Sequence, residues 1–173
     1  MIDRLWRHWV ARPGVDWLIT ALVVGGHLAA VRITGGGDLL GWPGREQRIV
    51  VYTTTATVAA IIGSFSTAAV TLYAAATGPR MRALRTDPVQ GPQFRRNWTS
   101  ILSGTLVVSG LCLLAVVLDV TKQDPGGAHW LAEAAAVLGV ARAMRLVWLF
   151  EKIIAGGDID LADGREEARR PGA

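Results

Sequence analysis

Charge is what this chain has least of. Asp, Glu, Lys and Arg make up 18% of its residues, against about 25% in an average soluble domain. Between Ile49 and Pro79 there is not one Asp, Glu, Lys, Arg or His, and Asn97 to Leu118 is equally bare. A bilayer core about 30 Å thick needs roughly 20 apolar residues of helix, so either run can cross it. These gaps exclude an ordinary soluble domain and leave little chain outside lipid to build a catalytic site. Cysteine is nearly absent as well. Cys112 is the only one and lies inside an apolar run, so no intrachain disulfide can form and the redox compartment cannot be read from thiols. No His–Cys–carboxylate set has metal-ligand spacing, and no glycine-rich loop leads to a basic residue in a phosphate-binding pattern. No nucleophile–base pair stands out either. The expectation is a chain without enzyme activity, metal or cofactor.

Apolar and aromatic residues fill the space. The chain is 51% hydrophobic, and its seven tryptophans, Trp6, Trp9, Trp17, Trp42, Trp98, Trp130 and Trp148, gather near the ends of apolar runs. Indole rings favour the headgroup boundary, where the ring packs on acyl chain and the N–H stays wet. The pattern predicts an all-α integral membrane protein, a four-helix bundle that is oligomeric. Its spans are expected at 15–33, 48–76, 98–120 and 130–155. Gly35-Gly36-Gly37-Asp38 and Gly41-Trp42-Pro43-Gly44 end the first span, Thr77-Gly78-Pro79 the second, and Asp124-Pro125-Gly126-Gly127 marks the third turn. A basic, aromatic segment, 1–14, precedes the bundle, and no small-residue cleavage motif follows it. The segment 156–173 is charged and poor in aromatics, and is expected to be mobile. Its Asp158, Asp160 and Asp163 do not match the one-three-five spacing of a calcium loop.

Arginine sets the orientation. Arg4, Arg7 and Arg12 precede the first span, and Arg80, Arg82, Arg85, Arg95 and Arg96 lie in the loop 77–97. The opposite loops hold only Arg32, Arg45, Arg48 and Lys122, while the tail adds Arg165, Arg169 and Arg170. Cytoplasmic loops carry the excess of Lys and Arg, so both termini and the 77–97 loop are expected in the cytoplasm.

Three features invite a functional reading. Thr53, Thr57, Ala60, Ser64, Thr67 and Thr71 alternate by four and three, which places them on one face of the second span. Such a stripe either lets helices approach closely or, repeated around an axis, lines a wet path; Thr53, Thr57, Ser64, Thr67 and Thr71 are the candidate pore-lining residues. In the fourth span Arg142 and Arg145 share a face. Arg142 lies about 15 Å along the axis from Lys152, where an arginine costs at least about 2.5–3.5 kcal/mol on insertion scales. Two at that depth argue for a polar or wet interior and a part in gating, unless the helix lies on the membrane surface. His27 is either a proton relay or a buried hydrogen-bond partner, and Glu133 reads as interfacial.

The 77–97 loop is the third. Gly78-Pro79-Arg80-Met81-Arg82-Ala83-Leu84-Arg85 leaves the second span, and Phe94-Arg95-Arg96-Asn97-Trp98 enters the next. Arg80, Arg82, Arg85, Arg95 and Arg96 with Trp98 have the chemistry to hold phosphates and stack a base, and equally that of topology determinants with an aromatic anchor. Because the loop joins the striped helix to its neighbour, a ligand there could bias the helix ends between two arrangements.

The striped span, the exit after it, Arg95-Arg96-Asn97-Trp98 and Arg142-Ala-Met-Arg145-Leu-Val-Trp148-Leu-Phe together resemble the small four-span membrane effectors of bacterial antiviral systems that are paired with nucleotidyltransferases, the Hailong type in particular. The resemblance covers about half the chain. It implies a homo-oligomeric channel in the bacterial inner membrane, tetrameric, held shut by short single-stranded DNA or a nucleotide from the partner nucleotidyltransferase. A structural or accessory membrane subunit, or a holin-like pore without a ligand, is the other expectation.

Overall fold

The computed structural model describes residues 9, 12–41, 44–75 and 77–169, without the side chains of 80, 152, 156, 161 and 163–169. The described residues are 83% helix, with no strand among them. Among the described residues five helices follow one another: α1 Val15–Thr34, α2 Arg45–Ala75, α3 Pro79–Thr86, α4 Gln90–Leu118 and α5 Ala128–Arg169. The first, second and fourth are long and apolar enough to cross a membrane. Local chemistry sets their ends. α1 stops at Gly35, whose φ of 68° is left-handed and whose N–H closes on the Val31 carbonyl at 2.9 Å. Pro79 opens α3, where its missing N–H costs nothing.

α2 and α4 run antiparallel along their whole length. Tyr73 meets Phe94 with ring centroids 4.8 Å apart at one end, and Arg48 meets Asp119 at 2.7 Å at the other. α5 lies against α4 and also touches α1, α2 and α3, while α1 packs chiefly on α5. The core thins along the bundle. Tyr73, Met81, Phe94, Trp98, Ile101, Leu146 and Leu149 fill the end nearest α3. Smaller residues such as Ala59, Cys112 and Ala135 sit in the middle, and Tyr52, Ala115 and Ala132 at the far end.

Three sequence expectations change. The 77–97 segment is a short helix and the opening turns of α4 rather than a loop. The Asp87 carboxylate accepts the N–H groups of Gln90 at 2.7 Å and Val89 at 2.8 Å, bonds that start α4 and hold this carboxyl below the usual carboxylate range. Residues 156–169 of the segment expected to be mobile are helical, α5 continuing through them to Arg169, and 170–173 lie outside the described residues. Glycine weakens a helix by only about 0.5–1 kcal/mol per residue, and here the Asp160 side chain lies against Gly78 at the start of α3. Glu133 is not merely interfacial, because it pairs with His27 across α1 and α5. Residues 1–8 of the expected N-terminal segment lie outside the described residues.

Candidate functional site: a buried arginine pair and an outward hydroxyl face

Arg142 and Arg145 project from α5 into the bundle and are 2% and 0% exposed. The carboxylate between them is Asp16, itself fully buried in the first turn of α1. Arg145 donates Nε to Asp16 Oδ2 at 3.2 Å and Nη2 to Oδ1 at 2.7 Å. Arg142 Nε approaches Oδ2 at 3.2 Å, and its Nη1 donates to the Ser100 hydroxyl of α4. Asn97 Oδ1 accepts from Arg145 Nη1 at 3.4 Å. Trp9 completes the cage: its indole N–H donates to Asp16 at 2.8 Å, its carbonyl accepts from Arg145 at 3.1 Å, and its ring lies 4.7 Å below the Arg145 guanidinium.

The cluster holds two cations and one carboxylate. It joins α1, α4 and α5 at the end where α1 begins. Gly104 makes room for it, since a methyl group there would sit 2.9 Å from Arg142 Nε. Isolated charges in a low-dielectric interior are costly, and pairing with a buried carboxylate offsets part of that cost. Both guanidiniums are thus surrounded by protein groups inside the bundle.

The opposite end has a second buried pair that the sequence reading did not single out. Arg48 Nε and Nη2 grip the two Asp119 oxygens at 2.7 and 2.8 Å, with both side chains 0% exposed. Tyr52 O–H donates to the same carboxylate at 3.3 Å, and the Thr121 carbonyl accepts from Arg48 at 3.0 Å. Alongside, His27 Nδ1 lies 2.8 and 2.9 Å from the two Glu133 oxygens, and its Nε2 is 3.0 Å from the Gly37 carbonyl. His129 Nε2 is 3.0 Å from Asp38. The available signal was topological: in an antiparallel bundle, charges near the same end of different helices are the ones able to meet.

The hydroxyl stripe lies on the other side of α2 from the core. Thr53, Thr57, Ser64, Thr67 and Thr71 are all exposed, whereas Tyr52, Ala59, Ser66, Ala69 and Tyr73 are buried. Each stripe hydroxyl donates to the carbonyl four residues earlier, as in Thr57 to Thr53 at 2.9 Å and Thr71 to Thr67 at 3.1 Å. Among the described residues no helix packs on this face, so the stripe takes no part in the packing of the described helices on one another. Glu46, seven positions before Thr53, is exposed on the same face of the first turn.

The arginines around α3 separate into kinds. Arg82, Arg95 and Arg96 are exposed. Arg85 is committed to the end of α2, where Nη2 donates to the Tyr73 and Ala74 carbonyls and the guanidinium stacks 4.9 Å from the Tyr73 ring. The Arg80 side chain lies outside the described residues. Trp98 is a correction: it is 4% exposed and packs edge-to-face on Phe94 inside the bundle, so its ring has no open face for a base. Position 98 is buried because α4 begins eight residues before it. Among the described residues no group of three His, Cys, Asp or Glu side chains has the geometry to hold a metal ion. Comparison with protein-family models, curated proteins and solved structures finds no match for this chain.

Proposed function

We propose that this chain is a channel-forming membrane effector. It assembles as a homo-oligomer, with tetramer the expected state, around the hydroxyl face of α2. The observation that carries the reading is that face: continuous, hydroxylated, exposed, and directed away from the chain's own core. A face used only for packing within the chain would be covered by a neighbouring helix, and none among the described residues covers it. Hydroxyls bonded back to their own helix still present lone pairs toward a wet path while leaving no donor unsatisfied in lipid. Glu46 at one end of the stripe would form a carboxylate ring in such an assembly, a device that favours cations.

In this reading α5 is the fourth span, and the Asp16–Arg142–Arg145 cluster lets it carry two arginines through the membrane. The positive-inside pattern puts both termini in the cytoplasm of a bacterial inner membrane. The exposed Arg82, Arg95 and Arg96 then form a cytoplasmic basic surface at the end of the striped helix. The ligand is an anionic nucleotide or short single-stranded DNA, made by a partner nucleotidyltransferase in an antiviral system, and it biases the α2 ends between open and shut arrangements.

The test is oligonucleotide titration of the reconstituted protein at several salt concentrations, with vesicle leakage followed in parallel. Each phosphate–arginine contact contributes about 0.7 to the slope of log affinity against log salt. Binding that weakens with salt and changes leakage supports the reading. Absence of binding at low salt removes the ligand, and a monomer with no leakage removes the channel in favour of an accessory subunit.

A further inference from the structure

Between α2 and α5 the surface of the bundle is cut by an apolar groove of about 480 Å3. Val51, Thr54, Val58 and Ile62 form its α2 wall, and Ala136 and Gly139 stand on the α5 side, where small side chains leave the wall low. Thr55, also in the groove, turns its hydroxyl back to the Val51 carbonyl at 2.9 Å. From Val51 to Ile62 the helix rises about 16 Å, close to half the thickness of a bilayer core. The groove is thus as deep as one leaflet.

A second cavity of about 510 Å3 lies where α2 begins, lined by Gly44, Arg45, Glu46, Gln47 and Lys122. Gly44, Gln47, Val51, Thr54, Val58 and Ile62 repeat at intervals of three and four, so they share one face of α2. The polar cavity therefore continues the line of the groove at its outer end. It carries two cations, Arg45 and Lys122, against one carboxylate, Glu46, and Arg45 also donates Nε to the Asp119 carbonyl at 2.6 Å; the net charge of the cavity lining is basic.

We infer that the two cavities are one binding site for an anionic phospholipid. The headgroup phosphate lies between Arg45 and Lys122, and one acyl chain lies in the groove. Charge and length select this occupant. A second copy of the chain docked in the groove would bring a helix crossing the full membrane, not a chain one leaflet long. It would also have to place an anion at Arg45 and Lys122. The phospholipid supplies both the length and the anion in one molecule.

The test uses the full chain reconstituted in vesicles of equal parts phosphatidylglycerol and phosphatidylcholine, gently extracted and weighed intact by native mass spectrometry. A cation near a membrane surface favours an anionic headgroup by about fivefold. The wild type is expected to retain phosphatidylglycerol over phosphatidylcholine by at least about that factor. Lys122→Gln is expected to reduce the preference about fivefold while lipid is still retained. Ala136→Phe, at an exposed position, is expected to fill the groove and abolish retention. If Ala136→Phe loses helicity or elutes abnormally, Val58→Trp on the facing wall carries the same test. Equal retention of the two lipids by the wild type would overturn the inference, as would phosphatidylglycerol held undiminished by a folded groove-filling variant. Disulfide-linked dimers formed by Val140→Cys protomers in the membrane would overturn it in favour of a second copy.

Discussion

Arg145 holds both carboxylate oxygens of Asp16, a residue 129 positions earlier in the chain, with donor distances of 2.7 and 3.2 Å and neither side chain exposed. This contact ties α1 to α5. It also explains how α5 keeps two arginines inside the bundle. Asp16→Asn should therefore be more damaging than an ordinary surface change. Removing one partner of a buried pair costs about 3–5 kcal/mol because the other charge is left uncompensated, and here two guanidiniums lose their anion. Unfolding titration in mixed micelles is the measurement. Asp16→Asn combined with Arg145→Leu should recover part of the loss, since one stranded charge is then gone.

Gly104 should tolerate no side chain while Arg142 crosses it. A methyl group at this position meets three side-chain atoms of Arg142 between 2.9 and 3.1 Å away. Gly104→Ala is expected to cost about 1–3 kcal/mol, the range for overpacking a filled interior. In an Arg142→Ala background the same substitution should be close to neutral. A double-mutant cycle on unfolding free energy measures the difference.

α1 is held at its other end by the His27–Glu133 contact, half-buried on both sides. Both ring nitrogens face acceptor atoms, Glu133 on one side and the Gly37 carbonyl on the other. Glu133→Gln keeps the shape and removes the charge, and should cost about 1 kcal/mol, the upper end for partly exposed pairs. Hydrogen exchange should show the loss as faster opening of α1 with α2 and α4 unchanged, because α1 packs chiefly on α5.

Helices were legible where charge was missing. Ile49 to Pro79 has no charged residue and falls almost wholly within α2, and Asn97 to Leu118 falls within α4. What the sequence concealed was polar helix. α3 and the first turns of α4 have too many arginines to show an apolar stripe, and the Asp87 cap that organises them is a single local residue. Gly156-Gly157 suggested a break that packing of Asp160 on Gly78 overrides. Of the candidate site, the hydroxyl face and the two arginines could be named from spacing alone. Asp16, Asn97 and Ser100 could not, since linear distance carries no information about which charge meets which in a folded bundle. Trp98 was misjudged for the same reason: its neighbours in sequence are basic, but its neighbours in space are Phe94 and Ile101.

If α2 surrounds a pore, Glu46 should set its ion preference. Glu46→Gln is expected to lower cation over anion permeability, and Glu46→Lys to reverse it, with conductance retained. Reversal potentials across planar bilayers under a salt gradient give the result. An unchanged reversal potential in the Lys variant would place Glu46 away from the conduction path.

The central claim is that the hydroxyl face of α2 meets water inside an assembly rather than lipid outside it. Cys112 is buried and is the only cysteine, so single cysteines can be introduced in a Cys112→Ala background and probed in vesicles with a charged, membrane-impermeant thiol reagent. Thr57→Cys, Ser64→Cys and Thr67→Cys are expected to react and to lose conductance as they do. Ile61→Cys, Phe65→Cys and Leu72→Cys, exposed on the flank of the same helix, should stay unmodified. The opposite pattern, with the stripe inert in a folded protein and conductance indifferent to the reagent, would contradict it.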